Sequence, residues 1–364
     1  MKNIIKTVNA TNQNFVFSPV AVYHALALLA QTTAGETKKE ILDALNLKED
    51  ELTKKTQELY KNFNINSVGN GRLMLNSSLW LNNNLNSNEE KCKEIADSTN
   101  CTIRKVDMGT SSVDKQIQRW VNVNTGNLLK DSVSNIKTKT DQLFALFSAI
   151  YLKGNWVSHF NEKSTKKRDF YVTKEHKEKC FFMSQINEDD LLVGKHFTAI
   201  KMWLNEVGRM YFILPNEGYT PNDISNDEDL LCLLEGDESK LKKKYYNLHI
   251  SIPKFDIKAN GDLIEQIKKI GIQKVFDMEQ ADFSPISDED YLYIDNANQA
   301  ARLKINEDGV EAAAYVEFSA CLGMGMLFEK PKEYDFVLDR PFMFSVVKGD
   351  TSLFVGTVTD PTKQ

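Results

Sequence analysis

The side chains best suited to chemistry are few and scattered. Five histidines stand at His24, His159, His176, His196 and His249, and none belongs to an HExxH or another multi-ligand metal spacing. Taken singly, each fits a surface or hydrogen-bonded structural role better than a ligand role. Five cysteines (Cys92, Cys101, Cys180, Cys232, Cys321) form no CxxC pair, and their odd number argues for free thiols in a reducing compartment. A Cys/His dyad on Cys321 would need a partner distant in sequence, and nothing favours one. There is no GxSxG elbow, Walker loop or GxGxxG fingerprint; Gly323 and Gly325 spell GxG without the strand and helix a phosphate cradle needs. Basic runs at Lys163–Arg168 and Lys240–Tyr246 have the composition of a polyanion patch. With 51 acidic against 45 basic residues, net charge −6, they read instead as solvated faces, and nucleic-acid binding is disfavoured. The expectation is a protein that is not an enzyme and uses no metal or cofactor.

One stretch departs from this. From Gly309 the chain reads GVEAAAYVEFSACLGMGMLFEKPKEYDFVLDRPF. Val310, Ala312, Ala314, Val316, Phe318, Ala320 and Leu322 make one apolar face. Glu311, Ala313, Tyr315, Glu317, Ser319, Cys321 and Gly323 make the other. That is a period-two strand pattern over about thirteen residues, yet it runs into GMGM, a loop composition. On periodicity alone, an edge strand and a strand kept outside its sheet are equal readings.

The elements around it must come from a chain with 41% hydrophobic and 26% charged residues, 17 glycines and 8 prolines, ordinary globular usage. No internal repeat or Pro/Gly/Ser linker divides it. Helical spacing appears over Val22–Leu29 and again from Gly35 to Leu45, with Thr37 as the expected cap. Asn-rich Leu81–Glu90 reads as a turn before a polar helix. Phe144–Leu152 reads as a strand buried on both faces. Further strands are expected at Tyr211–Pro215, Asn247–Phe255, Phe342–Val347 and Ser352–Val358, with a helix from Asp262. Early helices followed by many strands predict a large α+β domain. No apolar run reaches the roughly 18 residues of a membrane span, and MKNIIKTVNATNQN lacks the apolar core of a secretory leader. The sequons at Asn9, Asn76 and Asn100 are then chance matches. A cytoplasmic protein is expected, with export by an unrecognised route as the alternative.

The motifs fall in an order that resembles the serpin family. NFVFSPVAVYHALALLAQTTAGETKKEI resembles its FSP motif and following helix, QRWVNVNTGNLL its WVxxxT helix, and SAIYLKGNW its strand ending in KGxW. YFILPNEG, IPKFDIKANGDL, GIQKVF, ADFSPIS, INEDGVEAAA and FVLDRPFMF…SLFVGTVTDP follow in sequence, so the likeness runs from Phe15 to Pro361.

The resemblance implies a single domain over 1–364 with three β-sheets, eight or nine helices and an exposed reactive-centre loop at about 307–335. It implies an inhibitor that a serine protease cuts and acylates, after which the freed loop inserts into the main sheet, a strand addition that releases stored strain. The partner is that target protease, and the family tends to act as monomers. The hinge is Glu307, Asp308, Gly309, Val310, Glu311, Ala312, Ala313 and Ala314, with no proline and no inward charge. Family spacing from Glu307 puts the cut at Gly323–Met324. A one-residue offset makes Met324–Gly325 the preferred bond, with Met326–Leu327 and Leu322–Gly323 as alternatives. Each candidate side chain is of medium size and apolar, which points to chymotrypsin-like, elastase-like or cathepsin G-like targets. The loop is six or seven residues longer than usual. Beneath the main sheet the family pairs an Asn with a His; Ser148 and Gln299 occupy those positions, near Ser18 and Trp156. A non-inhibitory carrier or chaperone is the alternative function.

Overall fold

The structure is a computed structural model and describes residues 1–7, 13–66, 71–289, 292–295, 297–310 and 331–363. In chain order the first half contains α1 (Lys2–Lys6), β1 (Phe15–Phe17), α2 (Pro19–Thr32), α3 (Gly35–Leu45), α4 (Glu49–Asn62), β2 (Ile65–Asn66), β3 (Arg72–Asn82), α5 (Glu89–Thr99), β4 (Thr102–Val106), α6 (Ser111–Asn124), α7 (Lys130–Val133) and β5 (Phe144–Asn155). Then follow β6 (Lys166–Tyr171), β7 (Lys177–Val193), β8 (Phe197–Leu204), β9 (Gly208–Pro215), α8 (Pro221–Ile224), α9 (Glu228–Leu234), β10 (Lys242–Pro253), β11 (Phe255–Asp262), α10 (Ile264–Lys269), β12 (Asn298–Ile305), β13 (Gly309–Val310), β14 (Glu333–Val337), β15 (Phe342–Lys348) and β16 (Thr351–Val358). This is the expected α+β class. Two of the ten helical segments, α7 and α8, are single turns of four residues, leaving eight longer helices among the described residues.

Pairing joins the strands into a nine-stranded and a seven-stranded sheet. The larger one is two blocks. Its halves meet only where Leu192 and Val193 of β7 face Ala199 and Thr198 of β8, so the architecture resolves into three sheets. The seven-stranded main sheet runs β11-β12-β13-β5-β3-β2, with β4 parallel to β3.

Helix α2 lies beneath that sheet and is buried almost all round, as an apolar helix without a polar face must be. Ser18 caps it, its hydroxyl accepting from the Ala21 amide, and Pro19 opens the first turn. Thr37 caps nothing. Helix α3 starts from Ala34, and the Thr37 hydroxyl donates to the Gln280 carbonyl and accepts from the Asp282 amide; its position inside the helix freed it for a tertiary contact. The polar α5 is capped by the Asn88 side chain and ends at Asn100 in the left-handed conformation.

Two strand expectations need correction. The run Asn247–Phe255 is not one strand: β10 ends at Pro253, Lys254 turns the chain, and β11 begins at Phe255 in the other sheet. Strand β5 is also not buried throughout, since Leu146, Phe147 and Ser148 are half-exposed. Among the described residues, no strand pairs with this part of β5 on the side toward β12.

Candidate functional site

The sheet is interrupted between β5 and β12. Both run antiparallel to β13 and hence parallel to each other, leaving room for one strand. At the upper end, the last two residues before 311 fill it. Gly309 faces Asn155 and Val310 faces Gly154 on β5, while Val310 also pairs with Ile305 on β12. Val310 is 3% exposed. A Cβ on Gly309 would stand 2.1 Å from the Gly154 carbonyl oxygen, so only glycine permits this approach. Below β13 no pairing joins β5 to β12 among the described residues.

The turn leading into β13 is held on every side. The Asn306 side chain accepts from the Asp308 and Gly309 amides, and its own amide donates to the Gly309 carbonyl. The buried Trp156 indole donates to the Asn306 carbonyl at 2.9 Å. The Trp156 amide donates to Asp308 and the Phe160 amide to Glu307. The Glu307 carboxylate, 6% exposed as a residue, accepts from Lys254 at 2.9 Å and from the Thr165 hydroxyl at 2.7 Å. Burial pushes that carboxyl up, but the bonds from Lys254 and Thr165 outweigh it and hold it below the ordinary value.

The middle of the gap is different. Gln299 closes a two-way bond with the Ser18 backbone, accepting from its amide at 2.8 Å and donating to its carbonyl at 3.0 Å. The Ser18 hydroxyl donates to the Leu353 carbonyl. The buried Ser148 hydroxyl has no partner among the described residues. So the structure brings Gln299 to Ser18 and leaves Ser148 outside the latch. Across the strand from Ser148 is Ser77, whose hydroxyl meets His24 Nδ1 at 2.7 Å. His24 Nε2 is unpartnered and buried, and burial lowers this imidazole's pKa to about 4.

Several of these participants went unassigned in the sequence. Lys254 lies inside IPKF, Thr165 inside the first basic run, and Asn306 beside the hinge; their roles come from distant contacts. His24 carried a usable signal, being the one histidine inside an apolar helical stretch. Of the other histidines, His159 and His176 are exposed and His196 and His249 half-buried; His176 reaches Glu178, His196 reaches Asp227, and His249 reaches Glu333. Cys92, Cys101, Cys180 and Cys232 are buried free thiols. Lys240 is paired with Glu228 and Lys243 with Glu238, so much of the second basic run is already neutralised. Among the described residues no helix is long and apolar enough to cross a membrane, and no cluster of three or more His, Cys, Asp or Glu is placed to hold a metal. Hinge residues Glu311, Ala312, Ala313 and Ala314, the bond candidates Leu322–Leu327 and Cys321 lie outside the described residues.

The family profile described as serpin (serine protease inhibitor) matches residues 2–361. The chain is a serpin. Neuroserpin from Homo sapiens is 27% identical over 379 residues, covering 99% of this chain and 89% of its own. Among solved structures, the thermophilic serpin tengpin in its native state superposes with a TM-score of 0.84 at 21% identity, over 99% of this serpin and 92% of that chain. A thyroxine-binding globulin complex with thyroxine reaches 0.79 at 24% identity, over 96% and 93%. These likenesses establish the fold, and the family is one of protease inhibitors.

Proposed function

We propose that this serpin is an inhibitor, not an enzyme, and that it traps serine proteases of the chymotrypsin-like, elastase-like or cathepsin G-like type as a suicide substrate. The protease's serine oxygen attacks the Met324 carbonyl carbon. An ester bond forms, the bond to Gly325 breaks, and the Gly325 nitrogen takes a proton and leaves as a new N-terminus. The freed segment then extends β13 down the gap between β5 and β12, and the acyl-enzyme is carried with it before water can cleave the ester. The protein acts as a single-domain monomer in the cytoplasm and needs no cofactor.

The observation that carries this reading is β13 itself, a two-residue strand seated between β5 and β12, below which no pairing joins those two strands among the described residues. Burial of Val316, Phe318 and Leu322 would contribute roughly 1.5–3 kcal/mol each, and each new ladder bond about 1 kcal/mol. Val310 is buried before any cut, so its share is realised in the resting state. The remaining drive is still of order 10 kcal/mol, comparable to a domain's stability.

Nicking the loop between Ala320 and Met326 should raise the thermal midpoint by roughly 20 °C or more, at about 2–4 °C per kcal/mol. An unchanged melting curve would sink the insertion reading. A protease panel should yield at least one SDS-resistant complex; clean cleavage by every member would leave a non-inhibitory carrier. Mass spectrometry of the released peptide locates the bond, and a cut at Lys330 or Lys332 would overturn the target class.

A further inference from the structure

Along the gap, between α2 on one face of the sheet and α6 with the segment after it on the other, lies a cavity of about 500 Å³, within the range that holds small organic ligands. It follows β5 from Phe144 to Ala149, about 17 Å of strand. Leu26, Val121, Leu129, Phe147 and Ala300 give it apolar walls. Among the described residues, Ser148 supplies the one buried side-chain polar atom of the lining without a partner; the Gln299 amide is committed to Ser18. The rim carries three charges. Asp295 faces Lys139 at 3.7 Å, and Asp262 accepts from the Ile264 amide at 2.9 Å. Lys137 is exposed and has no carboxylate partner among the described residues.

We propose that this cavity binds a long-chain aliphatic carboxylate. The chain lies along β5 against the apolar walls, and the carboxylate meets Lys137 at the rim. Length and an apolar lining select an extended hydrocarbon over a compact ligand, and the rim cation selects an anionic end. The inference rests on reading the gap as the place the loop enters, because it makes the ligand a competitor for that space. An occupied cavity blocks an incoming strand, so the ligand opposes insertion.

Oleate is the probe, titrated below its micellar range into the intact chain and followed by calorimetry. Saturable 1:1 binding is expected, with octanoate too short to compete and methyl oleate and K137E each binding about tenfold more weakly. S148L, which fills the cavity and removes an unpartnered hydroxyl, should abolish binding while keeping the parent melting curve. Loop-nicked protein that has gained thermal stability should not bind. Non-saturable uptake, equal binding by S148L, or unchanged affinity in K137E would overturn the proposal. Should nicking fail to raise the midpoint, the insertion reading falls, while the titration of intact protein still decides the cavity.

Discussion

The two ends of the gap between β5 and β12 are built in opposite ways. At the top, Trp156, Asn306, Glu307 and Lys254 engage the chain through backbone bonds, a side-chain turn and a charge pair, and β13 completes the sheet. Lower down, among the described residues, the Ser148 hydroxyl has no partner, Gln299 turns away to Ser18, and a cavity lies where no strand pairs with β5. A strand added from above meets a fixed starting point and an unsatisfied track. The pairing of Gly309 and Val310 at the top fixes a register for any strand that continues from it.

The largest effect should come from breaking the ordered end. Val310→Arg places an unpaired charge in a fully buried position. It should expel β13, erase the stability gain on nicking and turn any inhibited protease into one that simply cleaves. Gel analysis with a reactive protease and melting of the nicked protein both read this out. Retained complex formation would show that the observed pairing of Val310 is dispensable.

Acidification probes the layer beneath the main sheet, where His24 meets Ser77. His24 is held neutral with a pKa of about 4, whereas an unfolded histidine takes a proton near 6.5. The unfolded chain therefore binds more protons below pH 6.5, and stability falls as pH drops through that window. Between pH 7 and 5 the loss is about 2 kcal/mol, or roughly 5 °C in midpoint. His24→Gln should flatten that part of the profile. Glu307 acts in a lower window, because its depressed carboxyl contributes above the ordinary carboxylate pKa and loses that contribution as pH falls through its own folded value.

The smallest effects sharpen the contrast between the two middle residues. Gln299→Ala removes both bonds to Ser18 and should cost about 1–3 kcal/mol. Ser148→Ala removes a hydroxyl that bonds to nothing and should change stability by less than about 0.5 kcal/mol. Paired chemical denaturation of the two variants checks the difference, and equal losses would place Ser148 inside the latch after all.

The strands were readable where pattern and burial agree. Tyr211–Pro215 and the two tail strands stand where their apolar runs predict. Local pattern misled where a distant partner decided the outcome. Phe144–Leu152 reads as doubly buried because its residues are apolar, but a residue's type does not reveal which strand, if any, pairs beside it. Thr37 has the right type for a cap, yet a loop 240 residues away uses its hydroxyl. The extended conformation of Gly309 and Val310 was legible from the alternation that starts there. The Lys254–Glu307 pair was not, since neither spacing nor periodicity links positions 53 residues apart.

The pairing of Val310 with Gly154 has a consequence for how the loop can change its length. A strand continuing from that register brings Val316 between Ser148 and Gln299, with every even-numbered residue from 310 to 322 turned inward. Adding or removing one residue near the hinge would exchange the faces beyond it, driving Glu317 and neighbours toward the interior. A two-residue change would preserve them. Extra length is neutral only beyond the stretch that enters the sheet. The long segment around Gly323 is thus free to vary in reach and sequence, while the Ala-rich segment before it can vary only in steps of two.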